Sequence, residues 1–280
     1  MTTRRTFLAT SAAALAASAK SLSTIGVQLY TVRSVLPEKP LETLKALEQM
    51  GYRECEVVAR DIDKIWPSLQ QTALKPVSVH LDTALFMKDA AKLPAALEDA
   101  AKRGFRYVVC PYVAPADRGG AEVMKRLGET LNSAGQKAKA AGITLAYHNH
   151  AFEFEPAGAA GTLLDVLMGA CDKKLVQLEL DIMWVKVAGV DPVEMLKKYK
   201  GRVPLMHVKN LHPGVDKRYD ERIPRTAFAE AGKGVIDIGS VLKAAGPAGV
   251  KHFFVEQDQT PGDPLASLKE SFQYVRGLNF

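Results

Sequence analysis

Four pairs of ionisable residues, each two positions apart, stand at the ends of apolar runs. They are His148 and His150 in LAYHNHAFEFE (residues 145–155), Glu179 and Asp181 in VQLELD, His207 and Lys209 in VPLMHVK, and Glu256 and Asp258 in HFFVEQD. Side chains two apart on a β-strand share a face. In the opposite phase the residues are apolar: Leu145 and Tyr147, Leu178 and Leu180, Met206 and Val208, Phe253 and Val255. If the runs are strands, the apolar set packs beneath helices and the ionisable set points the other way. Earlier runs add Glu56 and His80, and four of the six histidines fall at these strand ends.

Several unpaired charges converging on an enclosed point are costly. A divalent cation removes much of that cost. Mixed imidazole and carboxylate groups suit Mn²⁺, Zn²⁺, Fe²⁺ or Co²⁺ better than Ca²⁺. A lone His or Asp at a strand end is more commonly a hydrogen-bonded structural residue or a helix cap. Convergence from four consecutive strands is what points to a metal: Asp181, His207 and Glu256, with one of His148 and His150 as a further ligand and the other lining the pocket.

The elements that must position these groups alternate along the chain. Apolar runs at 24–30, 54–58, 76–81, 107–111, 143–150, 176–181, 203–209 and 252–258 predict strands. Helical segments fit between and after them, at about 38–50, 62–73, 90–103, 119–141, 160–170, 191–200, 237–246 and 264–276. Leu41, Leu44 and Leu47 share one side of the first, closed by Gly51. Asp-Pro opens DPVEMLKKYKG and recurs at the start of the last helix, a cap residue before a first-turn proline. Eight strand–helix units predict a single α/β domain, a parallel (β/α)₈ TIM barrel, with chemistry at the carboxyl ends of its strands. An open doubly wound sheet is the alternative, but no G-x-G-x-x-G follows an early strand. The long polar segment 210–235 is expected to be a lid or binding loop.

The chain has 280 residues, 47% hydrophobic and 24% charged, ordinary values for a globular protein. Its first residues differ. Arg4 and Arg5 precede an Ala- and Leu-rich stretch and the A-x-A pattern Ala17-Ser18-Ala19. That stretch is too short for a stable bilayer span. Residues 1–19 are expected to be a twin-arginine export signal and 20–280 the barrel, with the mature protein periplasmic or secreted. The alternative is a basic N-terminal helix. Loss of residues 1–19 removes two arginines and no acid, taking the formal charge from +6 to +4. Without Lys/Arg stripes, nucleic acid is not an expected partner, nor is a membrane after signal cleavage. Cys55, Cys110 and Cys171 lack any CxxC spacing and read as buried thiols.

The ordered motifs IGVQLYTVR, YHNHAFEFE, LELDIMWV, HVKN, AEAGKGVID and FFVEQDQ, spread over residues 25–259, together resemble the sugar isomerase/epimerase-like superfamily with its xylose isomerase type of barrel. That group includes tagatose 3-epimerase, inosose dehydratase and lyases acting on 3-keto-glycosides. The resemblance implies one divalent metal held by Glu, Asp, His and Glu from strands five to eight. Asp181, His207 and Glu256 match three of these; His148 falls where the first Glu is usual. In the epimerases the strand-five and strand-eight glutamates also form the proton-transfer pair. Glu153, Glu56, Glu179 or a histidine would have to substitute here.

The implied reaction is proton abstraction beside a carbonyl, with a metal-stabilised enediolate. The expected catalytic residues are His150 or Glu153 as base, Lys209 as partner to the oxyanion, and Glu256; a salt bridge to Glu179 or Asp181 is an equal reading for Lys209. Trp184 and Phe152 would stack on a sugar ring, although loop packing is the commoner role. Glu56 and His80 would bind substrate hydroxyls. Gly232 and Gly234 offer at best a weak phosphate cradle, so a free sugar, keto-sugar, glycoside or polyol is preferred. The leading expectation is a sugar isomerase or epimerase. The alternatives are a lyase or dehydratase acting by β-elimination and, more remotely, an apurinic endonuclease or a non-catalytic sugar-binding protein. Homo-oligomerisation is left open.

Overall fold

The computed structural model of the protein describes residues 21–280. The expected export signal lies outside these residues. Eight parallel strands close into a barrel: β1 (Gly26–Gln28), β2 (Glu54–Val58), β3 (Lys75–His80), β4 (Tyr107–Cys110), β5 (Thr144–His148), β6 (Val176–Asp181), β7 (Leu205–Val208) and, as the eighth stave, β10 (His252–Val255). β1 closes the ring by pairing with both β2 and β10. The segment after β7 carries a small antiparallel ribbon, β8 (Asn210–Leu211) with β9 (Phe228–Ala229).

The connecting helices are α1 (Pro40–Met50), α2 (Ile62–Leu69), α3 (Ala84–Met87), α4 (Leu93–Lys102), α5 (Gly120–Ala140), α6 (Leu163–Ala170), α7 (Ile182–Val187), α8 (Pro192–Lys198), α9 (Ile238–Ala248) and α10 (Pro264–Gly277). α3 and α7 are additional to those expected from the sequence. α1 ends at Gly51, whose φ of 114° suits glycine alone. Asp191 and Asp263 cap α8 and α10 through their side chains, with a proline in the first turn of each. No described helix is long and apolar enough to cross a membrane.

Two phases of the staves build two cores. Leu145, Tyr147, Leu178, Leu180, Met206, Val208, Phe253 and Val255 join the large cluster beneath the helices. Val77, Tyr107, Val109, Ala146, Leu205 and Phe254 form a smaller cluster that fills the barrel. A Cβ on Gly26 would collide with the Phe254 ring, so this first stave must be bare where the eighth is bulky. Burying both faces accounts for the short, nearly continuous apolar runs. The three cysteines are buried and free.

Candidate active site

Inward side chains near the carboxyl ends of the staves form two layers. The deeper one, the floor, contains Glu56 and Glu179, onto which His80 reaches from the cavity wall. His80 Nε2 lies 2.8 Å from Glu179 Oε2 and 3.0 Å from Glu56 Oε2. Glu56 Oε2 also accepts from Gln28 Nε2 (2.7 Å) and His207 Nε2 (2.6 Å). Burial alone would depress the His80 imidazolium, but Glu56 and Glu179 override it and hold the group at about 9. The floor is therefore a carboxylate–imidazolium–carboxylate array.

Above it lies the mouth, with Asp181, His207 and Glu256 each offering a ligand atom within 4.8 Å of the others. His207 Nδ1 is 2.7 Å from Glu256 Oε2 and 3.8 Å from Asp181 Oδ2; His148 Nε2 is 3.7 Å from the same Asp181 oxygen. The register explains the gathering: Asp181 pairs with His207, and His207 with Phe254, two residues before Glu256. Asp181 has a second task. Its Oδ1 accepts from the backbone N–H groups of Met183 (2.9 Å) and Trp184 (3.1 Å), capping α7 and turning Oδ2 inward. Asn149 locks the ends of β5 and β6 together, its Oδ1 accepting from the Asp181 N–H at 3.0 Å.

The donor set fits a divalent cation. Asp181 Oδ2, Glu256 Oε2 and His207 Nδ1 are buried and make no hydrogen bond among the described residues. The close approach of His207 to Glu256 and of Lys209 to both carboxylates are ion-pair contacts without hydrogen-bond geometry. Because the Nε2 of His207 is committed to Glu56, its Nδ1 is the nitrogen left to face the mouth. That is the usual arrangement for a histidine ligand, whose second nitrogen is held by a carboxylate. A second group, His80, His148, Glu179 and His207, also converges. There His80 is already hydrogen-bonded to Glu179 and His207 to Glu56. Among the described residues Glu179 Oε1, His148 Nδ1 and the His207 Nδ1 it shares with the mouth remain without partners in it. The mouth is the better cation site.

A cavity of about 580 Å³ opens above the mouth, lined by His80, His148, His150, Trp184, Lys209 and Glu256, together with aromatic and charged rim residues. Burial, then the nearby Lys209 ammonium, holds His150 well below its ordinary value, so the ring is neutral. His150 meets Tyr112 edge-on at 4.9 Å and lies 5.5 Å from Trp184. Trp184 Nε1 is buried without a partner among the described residues.

Three expected site residues lie elsewhere. Glu56 is in the floor, not on the cavity wall, because it stands two residues short of the end of β2; Val58 occupies the level of the cavity. Phe152 and Glu153 lie past the end of β5, in a 3₁₀ turn (Phe152–Phe154) that carries the chain outward. Phe152 packs under the Arg118 guanidinium, 3.7 Å from the ring centre. Glu153 accepts from Tyr147 Oη (2.6 Å) and the His150 N–H (2.8 Å), on the outward phase. Burial pushes its carboxyl up to about 8, only partly offset by these bonds. Lys209 bridges Asp181, as one sequence reading has it, but also Glu256 and Asp258, and not Glu179. Gly232 and Gly234 do not reach the cavity. Gly234 makes room for the Asn210 side chain, which accepts from Leu211 and Ile236 and donates to Ala231 and Ile236.

Sequence reasoning gave no role to Tyr112, Glu221 or Asp258, all on the cavity wall. The sequence already places Asp258 on the inward phase with Glu256, without a specific role. Glu221 could not have been found: it meets Arg118 at 2.9 Å across 103 residues, joining the segment after β7 to the one after β4.

The fold and site define a (β/α)₈ barrel with a cation-ready centre at the carboxyl ends of its staves. The chain belongs to the xylose isomerase-like TIM barrel family, whose sequence model matches residues 44–278. Over 161 residues it is 30% identical to an inosose dehydratase of Clostridium botulinum (strain Alaska E43 / Type E3), covering 54% of this chain and 53% of the relative. The chain thus spans about half the length of the curated relatives it matches. A sugar phosphate isomerase/epimerase from Parabacteroides distasonis superposes with a TM-score of 0.76 at 21% identity, over 90% of this chain and 96% of that one. IolI protein with a bound zinc atom superposes with a TM-score of 0.70 at 17% identity, over 90% and 97%. At these identities the two crystal structures bear on the fold.

Proposed function

We propose that the protein is a metal-dependent enzyme that removes a proton beside the carbonyl of an unphosphorylated sugar or keto-sugar and completes the reaction by β-elimination, as a dehydratase or lyase. One observation carries the choice of outcome. None of Glu56, Glu153 and Glu179 reaches the cavity to supply the stave-five carboxylate that two-base epimerisation would use. The partial likeness to inosose dehydratases supports the same reading.

His148, Asp181, His207 and Glu256 would hold the cation; Mn²⁺, Zn²⁺, Co²⁺ and Fe²⁺ all suit this donor set. When bound, it supplies Lewis-acid stabilisation of the charge that develops on the carbonyl oxygen. The neutral His150 imidazole takes the proton. The electrons of that C–H bond move toward the carbonyl and then form the new double bond as the β C–O bond breaks. The leaving oxygen takes its electron pair and a proton, returned from His150 or from the Lys209–Asp258 side of the cavity. Trp184 Nε1 offers a donor to a substrate hydroxyl.

Keto-sugars and keto-glycosides incubated in deuterated water and followed by NMR should lose water or aglycone, and chelation should stop this until Mn²⁺ or Co²⁺ is restored. Deuterium exchange with every oxygen retained would instead establish an isomerase or epimerase, the second reading, which keeps the same ligands and base. The Arg4-Arg5 and Ala17–Ala19 pattern supports export through the twin-arginine route to the periplasm. Fractionation of cells expressing the full chain and an Arg4→Lys, Arg5→Lys variant should show export of the first and retention of the second.

A further inference from the structure

Lys209 stands one residue beyond β7 and is 2% exposed. Its Nζ lies 2.9 Å from Asp181 Oδ2, 2.6 Å from Glu256 Oε2 and 3.1 Å from Asp258 Oδ2. Its hydrogen bonds among the described residues run to Asp258 alone, 3.1 Å to Oδ2 and 3.2 Å to Oδ1. The ammonium therefore faces the two oxygens that complete the mouth, while its directed bonds are anchored on a third carboxylate.

We propose that Lys209 is an internal cation that shares Asp181 and Glu256 with the metal, lowers the metal affinity of the site, and retreats onto Asp258 when the metal binds. The proposal rests on the ligand set described above. Two buried carboxylates with no cation between them would destabilise the metal-free fold. Lys209 relieves that cost by supplying a positive charge. The same charge repels a divalent cation drawn to the same oxygens. Asp258 gives the displaced ammonium an acceptor it already holds, so displacement leaves no buried charge without a partner.

The test compares Zn²⁺ affinity, by competition with a chromophoric chelator, and melting temperatures with and without Zn²⁺. The proteins are wild type, Lys209→Met, Asp258→Asn and the double variant. Lys209→Met should bind Zn²⁺ about tenfold or more tightly, within the 10–100-fold range by which outer-shell partners move metal affinity. Its metal-free form should melt lower than wild type, and its rise in melting temperature on adding Zn²⁺ should be larger. Asp258→Asn should bind more weakly, and that loss should shrink when Lys209 is already methionine.

Equal or weaker Zn²⁺ binding by Lys209→Met would mean that Lys209 supports the carboxylates, which overturns the proposal. An undiminished effect of Asp258→Asn in the double variant would overturn the retreat onto Asp258. Should Lys209→Met fail to fold, Lys209→Gln, which keeps a donor for Asp258, carries the same comparison. Zn²⁺ binding unaffected by Asp181→Asn would overturn the ligand set itself, an outcome distinct from any failure of Lys209.

Discussion

The floor and the mouth of the barrel both hold carboxylates and share His207, yet their polar atoms are partnered differently. In the floor, Glu56 Oε2 gathers Gln28, His80 and His207, and Glu179 Oε2 takes His80. In the mouth, Asp181 Oδ2, Glu256 Oε2 and His207 Nδ1 lack hydrogen-bond partners among the described residues. Residue type alone does not separate an orienting layer from a binding layer. What separates them is whether the lone pairs have been used within the protein. The floor commits Glu56 Oε2 and Glu179 Oε2 to histidine, leaving only their Oε1 atoms without partners among the described residues. In the mouth, Asp181 Oδ2 and Glu256 Oε2 meet the Lys209 ammonium by ion-pair contact alone.

The sharpest way to break this contrast is Asp181→Asn. Losing the Lewis acid should remove several kcal/mol of transition-state stabilisation, or turnover by about a thousandfold. Metal content measured by elemental analysis should fall with it. Full metal content in this variant would leave the mouth without its assigned role. His150→Gln should lower kcat by about 10²- to 10⁴-fold, the usual worth of a general base, while metal content stays at the wild-type level. A joint loss of metal and turnover would make His150 a ligand instead.

The barrel was legible because each stave carries an apolar phase against a polar one, and a one-residue slip would exchange them. The mouth was legible for a narrower reason. His148 and Asp181 are the last residues of their staves, and Glu256 follows its stave directly. Glu56 stops two residues short of the end of β2, so the same alternation that aimed it inward also set it one layer too deep. Phe152 and Glu153 lie where alternation has ended, and only the 3₁₀ turn decides their direction. The apolar segment Ile182–Val187 conceals a short helix whose start depends on the Asp181 cap. Which carboxylate anchors Lys209 depends on distances across three staves, and no spacing in the chain encodes them.

A smaller effect tests the floor. Glu56→Gln keeps the shape but removes the charge of the carboxylate that holds His207 Nε2 at 2.6 Å. Metal affinity should fall by about 10- to 100-fold, as for other carboxylates that orient a histidine ligand. Metal stoichiometry at saturation should remain one per chain in both proteins. A fall from two to one would turn the floor into a second metal site and erase the distinction between the layers.

The smallest effect concerns Glu153, which belongs to neither layer. Its folded-state value of about 8 lies above the 4.5 of an ordinary glutamate, so the fold holds it protonated against Tyr147 and the His150 N–H. An acid raised in this way binds its proton more tightly in the folded state than in the unfolded one. Its contribution to stability is complete below about 4.5 and is lost as pH rises through about 8. Glu153→Gln preserves the shape and cannot ionise. The melting temperature of the variant should therefore fall less steeply with pH across that window than wild type, with turnover unchanged where both are folded. A collapse of turnover in a stable Glu153→Gln protein would return Glu153 to the chemistry, as the base that the sequence reading offers as the alternative to His150.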